Sequence, residues 1–188
     1  MSVQLPSSWP SSGWHGVYLK LYEISWRVIE LVFVSNRLQV SMWLRVFMLR
    51  LFGATIGVAC RPSRFRVQFP YNLSIGDRCW IGEGVRIYNP APVTIGADSV
   101  VSQECFIVTG SHDITTMAET ISPITIGKGV WLSARTIAIS NSHPIIIGDG
   151  VLVTPGSVIC RSLIGLDNGS RVIYGGNPVR KIRDLEQA

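Results

Sequence analysis

Three histidines occur in the chain, and one of them, His112, stands in the short run TGSHD, Thr109 to Asp113. An imidazole titrates near neutral pH, so it can take a proton from a hydroxyl and hand it to a departing group. A single histidine is equally an ordinary polar loop residue, so its type alone decides nothing. His143, in NSHP, is a second candidate base, and the following Pro144 also suits a plain turn. Cys60, Cys79, Cys105 and Cys160 form no CxxC pair and no His/Cys spacing of a metal site. They read as reduced thiols of a cytoplasmic protein.

A proton-transferring side chain needs a stiff support, and the chain supplies a regular one. Ser74–Asp77 (SIGD), Thr94–Ala97 (TIGA), Thr125–Lys128 (TIGK) and Ile146–Asp149 (IIGD) share one signature, each followed by aliphatics at steps of six. The sets are Ile75, Ile81, Ile87; Ile95, Val101, Ile107; Ile126, Leu132, Ala138; and Ile147, Val153, Ile159. A period of six fits neither a helix at 3.6 nor a strand at 2. It fits a chain that runs a short strand, turns and repeats. Three such sides close a triangular coil of 18 residues, whose aliphatics stack into dry columns. Glycine follows the aliphatic at 76, 82, 96, 127 and 148, where a turn needs positive φ or close backbone approach. The fourth place after each aliphatic holds Cys79, Val85, Ser99, Cys105, Val130, Thr136, Val151 or Ser157. All are small or β-branched, which assigns Cys79 and Cys105 to packing rather than catalysis.

The repeat stops around His112. Successive coils start at Ile75, Ile95, Ile126 and Ile147, so the middle interval of 31 residues holds a large excess. An excursion over 108–125 is expected, with His112 and Asp113 at its root. Insertions in repeat scaffolds gather on one face and commonly carry function. His112 falls five places after Ile107 and His143 five after Ala138, which puts both at one corner of adjacent coils.

Leu49–Gly57 (LRLFGATIG), Pro70–Asn89 (PYNLSIGDRCWIGEGVRIYN), Thr109–Asp113, Pro123–Leu132 (PITIGKGVWL) and Gly175–Arg183 (GGNPVRKIR) occur in order. Over residues 43–183 the chain resembles the hexapeptide-repeat acetyltransferases, nearest the colanic acid biosynthesis branch and the galactoside and maltose O-acetyltransferases. The resemblance implies an all-β solenoid, a left-handed parallel β-helix, with an N-terminal helical segment and a short C-terminal helix. It divides the chain into an N-terminal amphipathic region (1–54), the β-helix (55–174) and a C-terminal tail (175–188).

By that resemblance the protein moves acetyl from acetyl-CoA, used as cosubstrate without a metal, to a sugar hydroxyl of a polysaccharide precursor. His112 is then the general base, attack is direct within a ternary complex, and the oxyanion rests on a backbone N–H near Ser133 or Ala134. Glu83, Tyr88, Asn89 and Asp113 become acceptor-binding candidates. Glu83 would bind a sugar hydroxyl or steady the imidazole, and Asp113 would orient His112 through the loop backbone or form the turn. Trp131, Ser133, Ala134, Thr154, Pro155, Gly156, Arg161, Arg180 and Arg183 become acetyl-CoA-binding candidates, the arginines for its phosphates. The family sites its cosubstrate between the β-helices of a homotrimer. Two departures stand out: ISNSHPIIIGDG after the third coil, and the long CRSLIGLDNGSRVIYGG near the nucleotide end.

Three other readings compete. A γ-class carbonic anhydrase shares the fold but needs three converging histidines, two close in sequence; His15 lies outside the repeats and no HxxxxH occurs. A non-catalytic solenoid scaffold would bind no acetyl-CoA. Transfer to an amine or amino acid resembles serine acetyltransferase, whose long helical domain has no counterpart here.

Composition narrows the setting. The chain of 188 residues carries a net charge of +5, 47% hydrophobic and 15% charged residues, which excludes a disordered polymer. Residues 1–70 hold eight Lys/Arg against Glu23 and Glu30, and the remainder nine against ten. The basic residues alternate with Leu, Val, Trp and Phe, so a membrane surface or a protein partner suits them better than nucleic acid. Peripheral membrane contact through residues 17–52 is therefore expected, of a protein without a targeting or spanning segment. Trp9, Trp14, Trp26 and Trp43 read as core or interface residues of helices that pack on the solenoid, cap its dry end or rest on lipid.

Overall fold

Ile56, Ile75, Ile95, Ile126 and Ile147 stand in register on neighbouring parallel strands, all buried, with Leu163 bridged beyond the last. This is the first column expected from the repeat of six, and it is one coil longer than the four sets in the sequence show. The second column is Pro62, Ile81, Val101, Leu132, Val153 and Tyr174; the third is Val67, Ile87, Ile107, Ala138 and Ile159. The computed structural model describes residues 14–35, 41–113, 115–165 and 171–185; Trp9 and the side chains of Trp14 and His15 lie outside that description.

Three parallel sheets form the faces of a triangular prism. The first face contains Thr55–Ile56, Leu73–Ile75, Val93–Ile95, Ile124–Ile126 and Ile145–Ile147. The second contains Arg61–Pro62, Trp80–Ile81, Val100–Val101, Trp131–Leu132, Val151–Val153, Arg171–Gly175 and Arg180–Leu185. The third contains Phe65–Val67, Val85–Tyr88, Phe106–Val108, Ile137–Ile139 and Val158–Ile159.

Corner chemistry explains the motif. The glycine after each aliphatic is selected by close approach rather than by positive φ. A Cβ built on Gly96 would stand 2.6 Å from the carbonyl carbon of Gly127 in the next coil. The positive φ falls two places later, at Arg78, Asp98, Gly129 and Gly150. All eight predicted small positions are buried. Two of them close carbonyls of the coil above, Cys79 donating to Gly96 O at 3.1 Å and the Ser99 hydroxyl to Gly127 O at 2.8 Å, as the Cys60 thiol of the first coil does to Gly76 O at 2.9 Å.

Residues 17–52 contain neither Gly nor Pro, and they are helical in α1 (Trp14–Ile29), a π-helical turn (Glu30–Val34) and α2 (Met42–Leu51). Gly53, at φ +91, ends α2. These helices cap the prism, whose first coil would otherwise end in unpaired backbone groups. Arg50 Nη2–H donates to Ile56 O at 2.6 Å on the first face, and Arg45 Nη1–H to Pro62 O at 2.9 Å on the second. On the third, Trp26 Nε1–H donates to Val67 O at 2.8 Å while Glu30 Oε1 accepts from Val67 N–H at 2.9 Å. Trp26 is core as expected; Trp43 is exposed and stacks on Phe47. No described helix is long and apolar enough to cross a membrane.

The expected C-terminal helix is a strand. Arg180–Leu185 pairs antiparallel with Arg171–Gly175 after a turn at Gly176, φ +99, so the far edge of the second face is covered by chain rather than left open.

Candidate active site

The excursion after Ile107 is a β-hairpin, Gly110–His112 against Glu119–Ile121, rising from the corner between the third and first faces. Its root is rigid. Thr109 is fully buried, its N–H donates to Tyr88 O at 2.9 Å, and its hydroxyl both donates to Ala91 O at 3.0 Å and accepts from Ala91 N–H at 2.9 Å. On the returning strand, Ser122 N–H donates to Thr109 O at 3.1 Å.

His112 stands exposed at the end of the first hairpin strand, with Nδ1 3.2 Å from Met117 O. A carbonyl oxygen only accepts, so Nδ1 carries the hydrogen and Nε2 keeps its lone pair. The turn that delivers Met117 O is built by Asp113. Its Oδ1 accepts from Thr116 N–H at 2.8 Å, the Thr116 hydroxyl at 3.0 Å and Thr115 N–H at 2.9 Å. The Thr116 amide, then the Thr116 hydroxyl and the Thr115 amide, hold this carboxyl below the usual aspartate range. Met117, at φ +55, is held there by its N–H bond to Asp113 O at 2.8 Å. Asp113 thus builds the turn and, through it, holds the imidazole. His143 is exposed at the same corner one coil on.

The other acceptor candidates separate. Tyr88 stays close to the hairpin: a Cβ on Gly110 would stand 3.2 Å from its Cε1. Asn89 is a structural residue, and its listing beside Tyr88 is corrected: it is fully buried, with Oδ1 accepting from Phe69 N–H at 3.0 Å and Nδ2–H donating to Phe69 O at 2.7 Å. Glu83 sits at a different corner, between the second and third faces, in an ion pair with Arg64. It is therefore not beside the imidazole of its own chain.

That second corner gathers most of the cosubstrate candidates. Trp131 projects from the second face, half exposed, with Nε1–H donating to Ser102 Oγ at 2.9 Å. Ala134, Pro155 and Gly156 line an open cleft of about 530 Å³ together with Gln103, Glu104 and Arg135. Ser133 N–H donates to Val153 O at 3.0 Å, whereas Ala134 N–H has no backbone partner among the described residues. Ala134 thus presents a free backbone donor at this corner. Thr154 N–H is bonded to Tyr174 O at 2.9 Å. Arg180 and Arg183 lie on the last strand of the same face, three strand spacings from Trp131, or about 14 Å. Arg161 departs from this line, since it ends the third face and donates through Nη2–H to Val179 O at 2.9 Å, bracing the C-terminal turn. Arg135 was missed from sequence. Its signal was an arginine at a positive-φ corner place that Gly84 and Gly156 fill elsewhere.

No family model matches the chain. A protein of Escherichia coli K12, provisionally assigned as the colanic acid biosynthesis acetyltransferase WcaF, is 37% identical over 166 residues, covering 86% of each chain. The chain belongs to the hexapeptide-repeat acetyltransferases. Solved members of this acetyltransferase family share the fold. The hexapeptide-repeat acetyltransferase VCA0836 of Vibrio cholerae, complexed with acetyl-CoA, superposes with TM-score 0.77 at 20% identity, over 96% of this chain and 94% of its own. A galactoside acetyltransferase in complex with coenzyme A gives 0.76 at 19%, over 89% and 82%. The solenoid is accordingly the left-handed β-helix of these acetyltransferases.

Proposed function

We propose that the protein transfers acetyl from acetyl-CoA to a sugar hydroxyl, with His112 as general base. The observation that carries this is the His112 ring, whose Nδ1–H is engaged by Met117 O and whose Nε2 is left as an acceptor at an exposed rim. Nε2 takes the hydroxyl proton while the sugar oxygen bonds to the thioester carbonyl carbon. The oxyanion is met by Ala134 N–H. Collapse of the tetrahedral intermediate breaks the carbon–sulfur bond, and the imidazolium returns its proton to the CoA thiolate. No acetyl passes through the enzyme. The buried Cys105 thiol, pushed up to about 11 by desolvation, is unsuited to carry one.

Trp131, Ala134 and Pro155 hold the pantetheine arm in this reading, with Arg180 and Arg183 toward the phosphates. That edge and His112 lie at different corners of one prism, so two chains are needed to bring them together. Three chains packed about the edge shared by the first and second faces would bring the His112 corner of each against the Ala134 corner of the next. The outward column of the second face is apolar from Trp80 through Val100, Trp131 and Leu152 to Ile173, between Arg61 and Arg183 at its ends, which suits such packing. The third face then looks outward. A cytoplasmic site of action follows from the cosubstrate.

The similarity to WcaF favours an acceptor in polysaccharide assembly. The test is release of free CoA from acetyl-CoA across a panel of sugars and sugar nucleotides, wild type against His112→Ala. A loss of about 10²–10⁴-fold with unchanged folding is expected. Activity that survives the substitution ends the assignment of the base.

A further inference from the structure

Three arginines at the prism corners are paired with carboxylates of the adjacent coil: Arg64 with Glu83, Arg78 with Asp98 at 2.6 Å, and Arg135 with Glu104 at 2.6 Å. Three others behave differently. Arg27, Arg66 and Arg86 converge on a groove of about 520 Å³ between α1 and the third face, and among the described residues none of them is in an ion pair. The Arg86 guanidinium lies 4.6 Å over the Phe106 ring, which fixes its plane. The groove also holds two carboxylates, Glu23 and Glu30, the second accepting from Val67 N–H with Arg66 and Arg27 nearby, so three cations face two anions. One end of the groove is Tyr88, whose ring meets the root of the His112 hairpin.

We propose that this groove binds the phosphate or diphosphate of an anionic acceptor, a glycosyl phosphate whose sugar extends past Tyr88 to His112. The proposal rests on His112 being the base. The reach fits: Arg86 to Tyr88 is two strand residues, about 7 Å, and His112 is two residues beyond Gly110, so phosphate and reacting hydroxyl stand roughly 10–15 Å apart. That is the span of one or two sugar rings. Arginine forks suit the phosphate oxygens, and the third face remains outward in the trimer. The phosphate could belong to a soluble glycosyl phosphate or to a lipid-linked one. Leu31 lines the groove and continues an exposed apolar stripe of α1 through Val28, Ile24 and Leu21, which would take a lipid tail.

Calorimetric titration of the intact protein with inorganic pyrophosphate, at saturating CoA so that the cosubstrate site is filled, tests the groove. Single-site binding is expected for wild type and for His112→Ala. Arg66→Ala/Arg86→Ala, two exposed positions, should weaken it at least tenfold without shifting the melting temperature. Absence of binding to wild type, or binding unchanged in the double variant, overturns the proposal. Pyrophosphate binding that persists while His112→Ala retains transfer activity removes the base assignment and, with it, the link to the acceptor. Repeating the titration with glucose 1-phosphate and with a short-chain polyprenyl diphosphate glucose in micelles separates the sources. Selective weakening of the second by Ile24→Ser/Val28→Ser identifies the lipid-linked form, and equal binding identifies the soluble one. Binding of neither counts against the groove.

Discussion

The His112 imidazole donates through Nδ1–H to the carbonyl oxygen of Met117 at 3.2 Å, five residues along the same hairpin. The ring is therefore held by a turn, and the turn by Asp113. Asp113→Ala removes the acceptor for three donors and should lower kcat about tenfold with the KM for acetyl-CoA unchanged. Asp113→Asn keeps an acceptor oxygen and should restore most of the rate, a rescue that loss of charge alone would not give. The carboxyl pKa is depressed in the folded chain, so the order it confers is present above the free-aspartate value of ~3.9 and fades as pH falls through the lower folded value. Hairpin amide exchange should accelerate only below about pH 4.

Close approach and positive φ are separable demands on a corner. Gly96→Ala forces a methyl to within 2.6 Å of the Gly127 backbone, which cannot move without shifting a whole coil. A loss of ~3 kcal/mol or more is expected in urea unfolding. At Gly129, φ +62, the methyl meets nothing within 4 Å, and Arg78 and Asp98 adopt the same conformation at equivalent corners. Gly129→Ala should cost only about 1 kcal/mol.

The solenoid was legible because each column position is dictated by one physical demand repeated. Where that demand is met differently, the pattern disappeared. Pro62 takes the place of an aliphatic in the first coil, so TIG at Thr55–Gly57 did not read as the start of a fifth set. The hairpin pairs Ser111 with Thr120 and His112 with Glu119, with no apolar alternation to announce strands. The C-terminal helix implied by the resemblance is a strand in RKIRDL, which pairs along the open edge of the second face. The caps were invisible for a related reason: Arg45, Arg50 and Trp26 answer backbone atoms of another segment, and a linear pattern does not contain that partner. At the candidate site, the corner of His112 was readable from its place in the coil, whereas Tyr88, Trp131 and Ala134 were candidates only through the family resemblance. The structural role of Asn89 was not readable, because its amide bonds across coils to Phe69.

The cysteines should separate by burial. Cys160 is exposed, whereas Cys60, Cys79 and Cys105 are buried. Burial raises the Cys79 thiol and takes Cys105 to about 11. One thiol should react with a disulfide reagent in the native protein and the other three only on unfolding. The raised Cys105 value adds a pH signature. The folded state holds the proton more tightly, so this contribution is complete below the free-thiol value of ~8.5 and is lost as pH rises through about 11. Stability to urea should decline across that interval, and Cys105→Ala should flatten the decline.

The cap at Val67 combines a neutral donor with a charged acceptor, and the two should respond oppositely to substitution. Trp26→Phe preserves the buried ring but leaves Val67 O without its Nε1–H donor, at a cost of ~1–3 kcal/mol. Glu30 accepts from Val67 N–H in a site whose desolvation raises its pKa despite that bond and the nearby Arg66 and Arg27. The folded state therefore favours the protonated carboxyl, and the contribution is full below the free-glutamate value of ~4.3 and is lost as pH rises through the higher folded value. Glu30→Gln retains an oxygen for Val67 N–H without the charge. It should raise the urea midpoint at pH 7.5, and the advantage should vanish near pH 4, where the native glutamate is itself neutral.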